Sequence, residues 1–239
     1  MAATDLRKLG TAPMRTVFAT FNFKSSDVAN AERLYLSNHV RLTLQLPNLR
    51  QYITGLIRPH PHQPTSHRAA FNYFDDDAAL RWALHKSTAA RPLLEDGAAL
   101  LRVNRWLELD SEIVVPFEPR RPGLQCFVLA VEFELKLNGA GAEIAEQQYL
   151  SHHVEATRQL PNLRHFMISK YRVGLKLDEH RAKGDVSVAN PLRMAILVFD
   201  SFDAFQHAYR SPAGQQLADG MKAMTAKPRV YHIDATVQL

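Results

Sequence analysis

The feature that most constrains this chain is an internal repeat. Tyr35–Arg50 reads YLSNHVRLTLQLPNLR and Tyr149–Arg164 reads YLSHHVEATRQLPNLR, with 12 of 16 positions identical at a constant offset of 114. Self-similarity at a fixed period decides architecture before any local pattern does, because each copy must fold as the same unit. The match extends outward with small drifts in offset. Phe21–Lys24 answers Phe133–Lys136, Phe74-Asp75 answers Phe199-Asp200, Asp96-Gly97 answers Asp219-Gly220, and Arg102-Val103 answers Arg229-Val230. The 239 residues therefore divide into an N-terminal extension over 1–13, a first repeat over 14–115, a linker over 116–123 and a second repeat over 124–239.

Periodicity gives the same element order in each copy. Met14–Lys24 and Gln125–Lys136 alternate in polarity and are rich in β-formers, which predicts opening strands. A helix follows. In the first copy Ser26 or Asp27 can cap it, and Val28, Ala31, Tyr35, His39, Leu42 and Leu46 form an inner stripe at spacings of three or four. Pro47 and Pro161 end the helices, since the residue before a proline disfavours helical geometry. Residues 48–58 and 162–173 predict second strands, and Arg68–Phe74 and Leu192–Phe199 third strands. Second helices begin near Asp75–Asp77 and Asp200–Asp203, where acidic side chains suit the positive end of the helix dipole. Leu101–Leu109 and Arg229–Leu239 close the copies. The fold class this predicts is α+β: two fused ferredoxin-like units, βαββαβ twice, with their sheets stacked into an intramolecular α/β barrel.

Composition narrows the functional classes. The net charge is +5, but apart from Arg120-Arg121, a linker knot between two prolines, Lys and Arg are scattered among Asp and Glu, so there is no footprint for nucleic acid. Apolar runs such as Phe127–Val131 fall far short of the roughly 20 residues that span a bilayer, and residues 1–13 lack an apolar signal segment, so a cytoplasmic protein is expected. Cys126 is the one cysteine, in an apolar strand where an inert thiol is expected. His60, His62 and His67 lie in a proline-rich loop without acidic or cysteine neighbours and with only His180 as a counterpart, so no metal site is expected. Gly174–Asn190, charged and glycine-containing, is a candidate lid.

The Tyr-x-x-x-His helix running into Leu-Pro-x-Leu-Arg occurs as Tyr35, His39 and Leu46–Arg50, and again as Tyr149, His153 and Leu160–Arg164. It resembles the EthD family of the dimeric α/β-barrel superfamily. Ser211–Gln215 with Asp219 resembles that family's second-helix motif, of which the first copy keeps only Asp96-Gly97. The resemblance implies a barrel whose two halves are supplied here by one polypeptide, with homodimerisation of the whole as a further option. It also implies a small aromatic, lactone or polyketide-like substrate. Relatives include cofactor-free isomerases, cyclases and dehydratases, alongside haem-binding enzymes.

Residue chemistry points the same way. A spacing of four sets Tyr35 with His39, and Tyr149 with His153, on one helix face. Histidine titrates near neutrality and can move a proton to or from carbon or oxygen, while a tyrosine hydroxyl can orient a substrate oxygen. These four are the candidate catalytic residues of a lyase or isomerase that needs no cofactor; a haem protein with an axial histidine and a non-catalytic binder are the alternatives. The same spacing also suits a buried histidine with a packing tyrosine. His152 and His165 stand where the first copy has Asn38 and Gln51, and they favour the second pocket; on a helix surface His152 is simply solvated. Arg50 and Arg164 can hold a substrate carboxylate bidentately or lie at the surface.

Overall fold

A computed structural model describes residues 14–59, 66–117, 121–137, 141–171 and 192–239. These residues form a mixed α+β fold with eight strands that pair antiparallel. Along the first copy run β1 (Met14–Phe23), α1 (Val28–Leu34), a π-helical stretch (Tyr35–His39), α2 (Val40–Thr43), β2 (Leu49–Ile57) and β3 (Arg68–Phe74). Then come α3 (Asp77–Arg81), a second π-helical stretch (Trp82–Lys86), α4 (Ala90–Leu100) and β4 (Leu101–Val115). The second copy runs β5 (Gln125–Leu135), α5 (Ala142–Gln148), a π-helical stretch (Tyr149–Val154), α6 (Glu155–Arg158), β6 (Leu163–Tyr171) and β7 (Leu192–Phe199). It ends with α7 (Phe202–Arg210), α8 (Pro212–Met224) and β8 (Thr225–Val237). His60, His62, His180, the segment Gly174–Asn190 and residues 1–13 lie outside the described residues.

Two compact units result, one holding 14–110, 121–125 and 233–239, the other 111–117 and 126–232. In the first, β3 lies between β1 and β2, with Phe18 opposite Phe71 and Ile53 opposite the same residue. The end of β8 covers the outer edge of β2, Ile53–Ile57 pairing with Ile233–Val237. In the second, β7 lies between β5 and β6, and Val115 at the end of β4 accepts a 2.6 Å hydrogen bond from His165 of β6. Each unit thus draws its edge cover from a closing strand longer than expected, and an edge strand left bare would invite association. The closing strand does not stop at Leu109 because Ser111, polar in sequence, is buried and shares a 2.8 Å hydrogen bond with Ser169.

Local chemistry sets the helix ends. Asp27 accepts from Asn30 N–H, Asp76 from Ala79 N–H and Ser201 from Ala204 N–H. Asn48 and Asn162 adopt φ of 61° and 60°, a left-handed geometry that asparagine tolerates, which explains the identical Leu-Pro-Asn turn of both copies. The expected second helix is two helices in each copy, broken at Ser87 and Ser211. Ser211 caps α8 through Gly214 N–H, with Pro212 in its first turn. A Cβ on Gly214 would stand 2.2 Å from the Ala208 carbonyl oxygen, so α7 and α8 approach this closely only with glycine there. Val28, expected on the inner stripe, is exposed in the first helical turn. Ala31, Tyr35, Leu42 and Leu46 of the stripe pack with Phe21, Tyr52 and Phe74 in the first core, and the second core gathers Phe133, Phe166 and Phe199 around Tyr149. Among the described residues no helix is long and apolar enough to cross a membrane.

Candidate functional site

Both copies widen from α- to π-helix at the same Tyr-Leu-Ser-x-His sequence. In the first, Val40 N–H reaches back five residues to the Tyr35 carbonyl. Such widened turns are rare and concentrate at functional sites. The rings four residues apart stack: Tyr35 and His39 at 5.3 Å and 23°, Tyr149 and His153 at 5.5 Å and 22°. Thr43 and Thr157 donate to the carbonyls of His39 and His153 at 2.9 and 2.8 Å.

A buried arginine also lies over each tyrosine ring. Arg68 lies 4.8 Å above Tyr35 and Arg193 5.6 Å above Tyr149, within cation–π range. Arg68 pairs with Glu32, which also takes His67 at 3.2 Å. Arg193 pairs with Glu146 through Nε at 3.1 Å, and Lys170 joins that carboxylate at 2.9 Å. Burial pulls the Arg193 guanidinium down to about 10, against the opposing charge of Glu112. Sequence reasoning did not select these four residues. The signal was there, since Glu32 and Glu146 are 114 apart and Arg68 and Arg193 are 125 apart, as are Phe74 and Phe199.

Beyond this shared frame the copies part. Thr54 Oγ1 donates to Ala69 O at 2.9 Å, so it accepts from Tyr35 Oη, also at 2.9 Å; Tyr35 in turn accepts from Tyr52 at 2.7 Å. At the positions of Tyr52 and Thr54 the second copy has Phe166 and Ile168, and the buried Tyr149 hydroxyl has no hydrogen-bond partner among the described residues. Burial raises the proton affinity of Tyr35, Tyr52 and Tyr149, so all three stay protonated. His39 Nδ1 meets Asp96 Oδ2 at 2.8 Å, and Asn38 donates to the other carboxylate oxygen at 2.5 Å. Burial lowers the His39 pKa and Asp96 opposes that. Among the described residues the His153 imidazole has no hydrogen-bond partner, and burial alone pulls it down to about 4, so it is neutral at pH 7. Its counterpart carboxylate, Asp219, is 80% exposed and lies 3.5 Å from Lys222.

Each unit holds a cavity against its histidine. The first, about 230 Å³, is lined by Tyr35, His39, Tyr52, Asn72, Leu93 and Trp106 among others. The second, about 830 Å³, is lined by His153 with mainly apolar side chains, among them Leu197, Phe199, Phe205 and Met221; Arg210 and Lys222 also line it. Sites for drug-sized ligands run to roughly 300–1,000 Å³, so the second has that capacity and the first takes only a smaller molecule. His232, which sequence reasoning passed over, also lines the second cavity, its ring 5.5 Å from that of Phe205.

The other candidates sit elsewhere. Tyr149 stacks behind His153 and does not line the cavity. His152 is exposed and 3.2 Å from the Gln148 carbonyl. His165 is buried against Val115 O and Phe117. Arg50 and Arg164 form exposed bidentate pairs with Asp75 and Asp200, at 2.5 and 2.6 Å for the closer contacts. None of these four lines either cavity. Cys126 is buried, its thiol pushed up to about 12 by desolvation. Among the described residues no group of three or more His, Cys, Asp and Glu is placed to hold a metal ion.

No family model and no curated protein matches this chain. Solved structures do. A monooxygenase-like protein of Fusobacterium nucleatum is 12% identical over 96% of this chain and 95% of its own, with a TM-score of 0.67. One from Lactobacillus acidophilus NCFM is 12% identical over 95% of each chain, at 0.61. An anthrone oxidase-like protein is 13% identical over 96% of this chain and 94% of its own, at 0.53. The chain has the fold of these proteins.

Proposed function

We propose that the chain is a tandem EthD-like enzyme, two fused ferredoxin-like repeats of which the second catalyses proton transfer without a cofactor. Its substrate is a small apolar aromatic, lactone or polyketide-like molecule, and its reaction that of a lyase or isomerase. The observation that carries the reading is His153, neutral and without a hydrogen-bond partner among the described residues, in the wall of an apolar cavity of about 830 Å³. A neutral imidazole can take an acidic proton from carbon next to a carbonyl or an aromatic ring. The enolate so formed is the anionic neighbour that His153 lacks, and it raises the imidazole's proton affinity as the proton moves. The imidazolium then returns the proton to another carbon, which is isomerisation, or to a departing hydroxide, which is dehydration. Tyr149, stacked at 22°, is a positioning residue that fixes the plane of the ring.

Neither His153 nor His39 suits haem as an axial ligand. An axial histidine ordinarily donates its second N–H to a carboxylate or carbonyl. His153 has the room without that partner, and His39 has the partner, Asp96, beside a cavity of only about 230 Å³.

The test uses anthrone, the class for which one structural neighbour is named. Exchange of its acidic methylene protons in D2O, followed by NMR, is expected to accelerate with the protein. Removing a general base costs roughly 10²–10⁴ in rate, so His153→Ala should abolish the acceleration while His39→Ala leaves it within about twofold. Binding without acceleration would make the protein a non-catalytic binder. Loss only in His39→Ala would move the chemistry to the first repeat.

A further inference from the structure

The first cavity differs from the second in kind as well as in size. Asn72 lines it from the middle of β3, and its carboxamide has no hydrogen-bond partner among the described residues, with Oδ1 fully buried. At the matching position, 125 residues on, the second copy has Leu197, which lines the larger cavity. A buried carboxamide oxygen without a partner is costly, so a cavity wall carrying one is relieved by a molecule that can donate a hydrogen bond to it.

The other polar groups of the wall restrict that molecule further. Tyr35 and Tyr52 are bound into the relay that ends on Ala69 O, so their protons are engaged. Asp96 holds the His39 proton on Nδ1, which leaves Nε2 as an acceptor. Thr43 donates to the His39 carbonyl, and the rest of the wall is mainly apolar, with Val17, Leu84, Leu93 and Trp106. Leu94 also lines the cavity and is 52% exposed, so the space reaches the surface.

We infer that the first repeat holds a second small-molecule site, built for a compact aromatic with a single hydroxyl, a phenol, whose ring fills the apolar space beside His39 and whose hydroxyl donates to the buried Asn72 Oδ1. This site is separate from the cavity of His153 and stands whether or not His153 catalyses.

The test compares 4-fluorophenol with fluorobenzene, titrated against the full chain by ¹⁹F NMR. The phenol should bind saturably and about tenfold or more tighter than fluorobenzene, the difference made by one satisfied buried polar group. Asn72→Leu, which installs the residue of the second copy, should abolish that preference without lowering the melting temperature. His153→Ala should leave it intact. Equal affinity for the two probes, no saturable binding of the phenol, a preference that survives Asn72→Leu, or one that disappears in His153→Ala would each overturn the inference.

Discussion

The two repeats carry the same Tyr–His stack under the same Arg–Glu pair, yet one is tied into a polar network and the other stands in apolar surroundings. Four matched positions make the difference. Tyr52, Thr54 and Asn72 become Phe166, Ile168 and Leu197, while Asp96, which reaches His39, becomes Asp219, which is turned to solvent beside Lys222. The lesson is that in this fold the helix motif positions a histidine, while the strands and the helix before the closing strand decide what it can do. Polar strand residues hold a ring in place and fill the space. Apolar ones leave a neutral base facing about 830 Å³.

The largest effect that can break this comparison is kinetic. If the second repeat is the working one, anthrone proton exchange falls by about a hundredfold or more in His153→Ala and hardly changes in His39→Ala; equal losses in the two variants would erase the distinction.

Acid stability comes next. The folded His153 pKa, about 4, lies below the ordinary 6.5, so between those pH values the unfolded chain binds a proton that the folded chain refuses. Stability therefore falls as pH drops from 6.5 to about 4, by about 3 kcal/mol at the full shift. Denaturant unfolding of His153→Gln across this range should show a correspondingly flatter acid limb.

How much of this was legible in sequence varies by element. β3 and β7 coincide with the expected Arg68–Phe74 and Leu192–Phe199, apolar runs each closed by an aspartate. The helix ends were legible in Leu-Pro-Asn, as was the spacing that stacks each tyrosine on its histidine. The π-helical widening has no mark in composition. Arg68 and Arg193 lie within strands, where an arginine reads as a solvated position; only the folded arrangement brings Glu32 and Glu146 over to neutralise them. The contrast between the cavities escaped notice for a related reason. It rests on positions such as Asn72 and Leu197, whose importance depends on which strand face looks toward the helices.

Packing sharpens the comparison on a smaller scale. Gly214→Ala should cost about 2 kcal/mol or more by forcing α7 and α8 apart, whereas Ala90, at the matching position of the first copy, should tolerate glycine at a cost of about 1 kcal/mol. Ala90 opens its helix, where a glycine costs less than in a helix interior, so thermal melts of the two variants should show the larger loss in Gly214→Ala. Smaller again is the tyrosine pair. Tyr35→Phe takes away the acceptor of the Tyr52 hydroxyl and the donor to Thr54 Oγ1 and should cost about 1–3 kcal/mol, while Tyr149→Phe removes a hydroxyl that has no partner among the described residues and should be neutral or slightly stabilising. Similar costs at the two positions would mean that the tyrosines sit in equivalent surroundings.

The most direct measurement is an NMR titration of the His153 ring, assigned by comparison with His153→Gln. A solitary buried imidazole should remain neutral down to about pH 4. A midpoint at or above the ordinary 6.5 would mean that the ring is solvated or paired with an anion, and the second repeat would then have no claim to a neutral base in an apolar cavity.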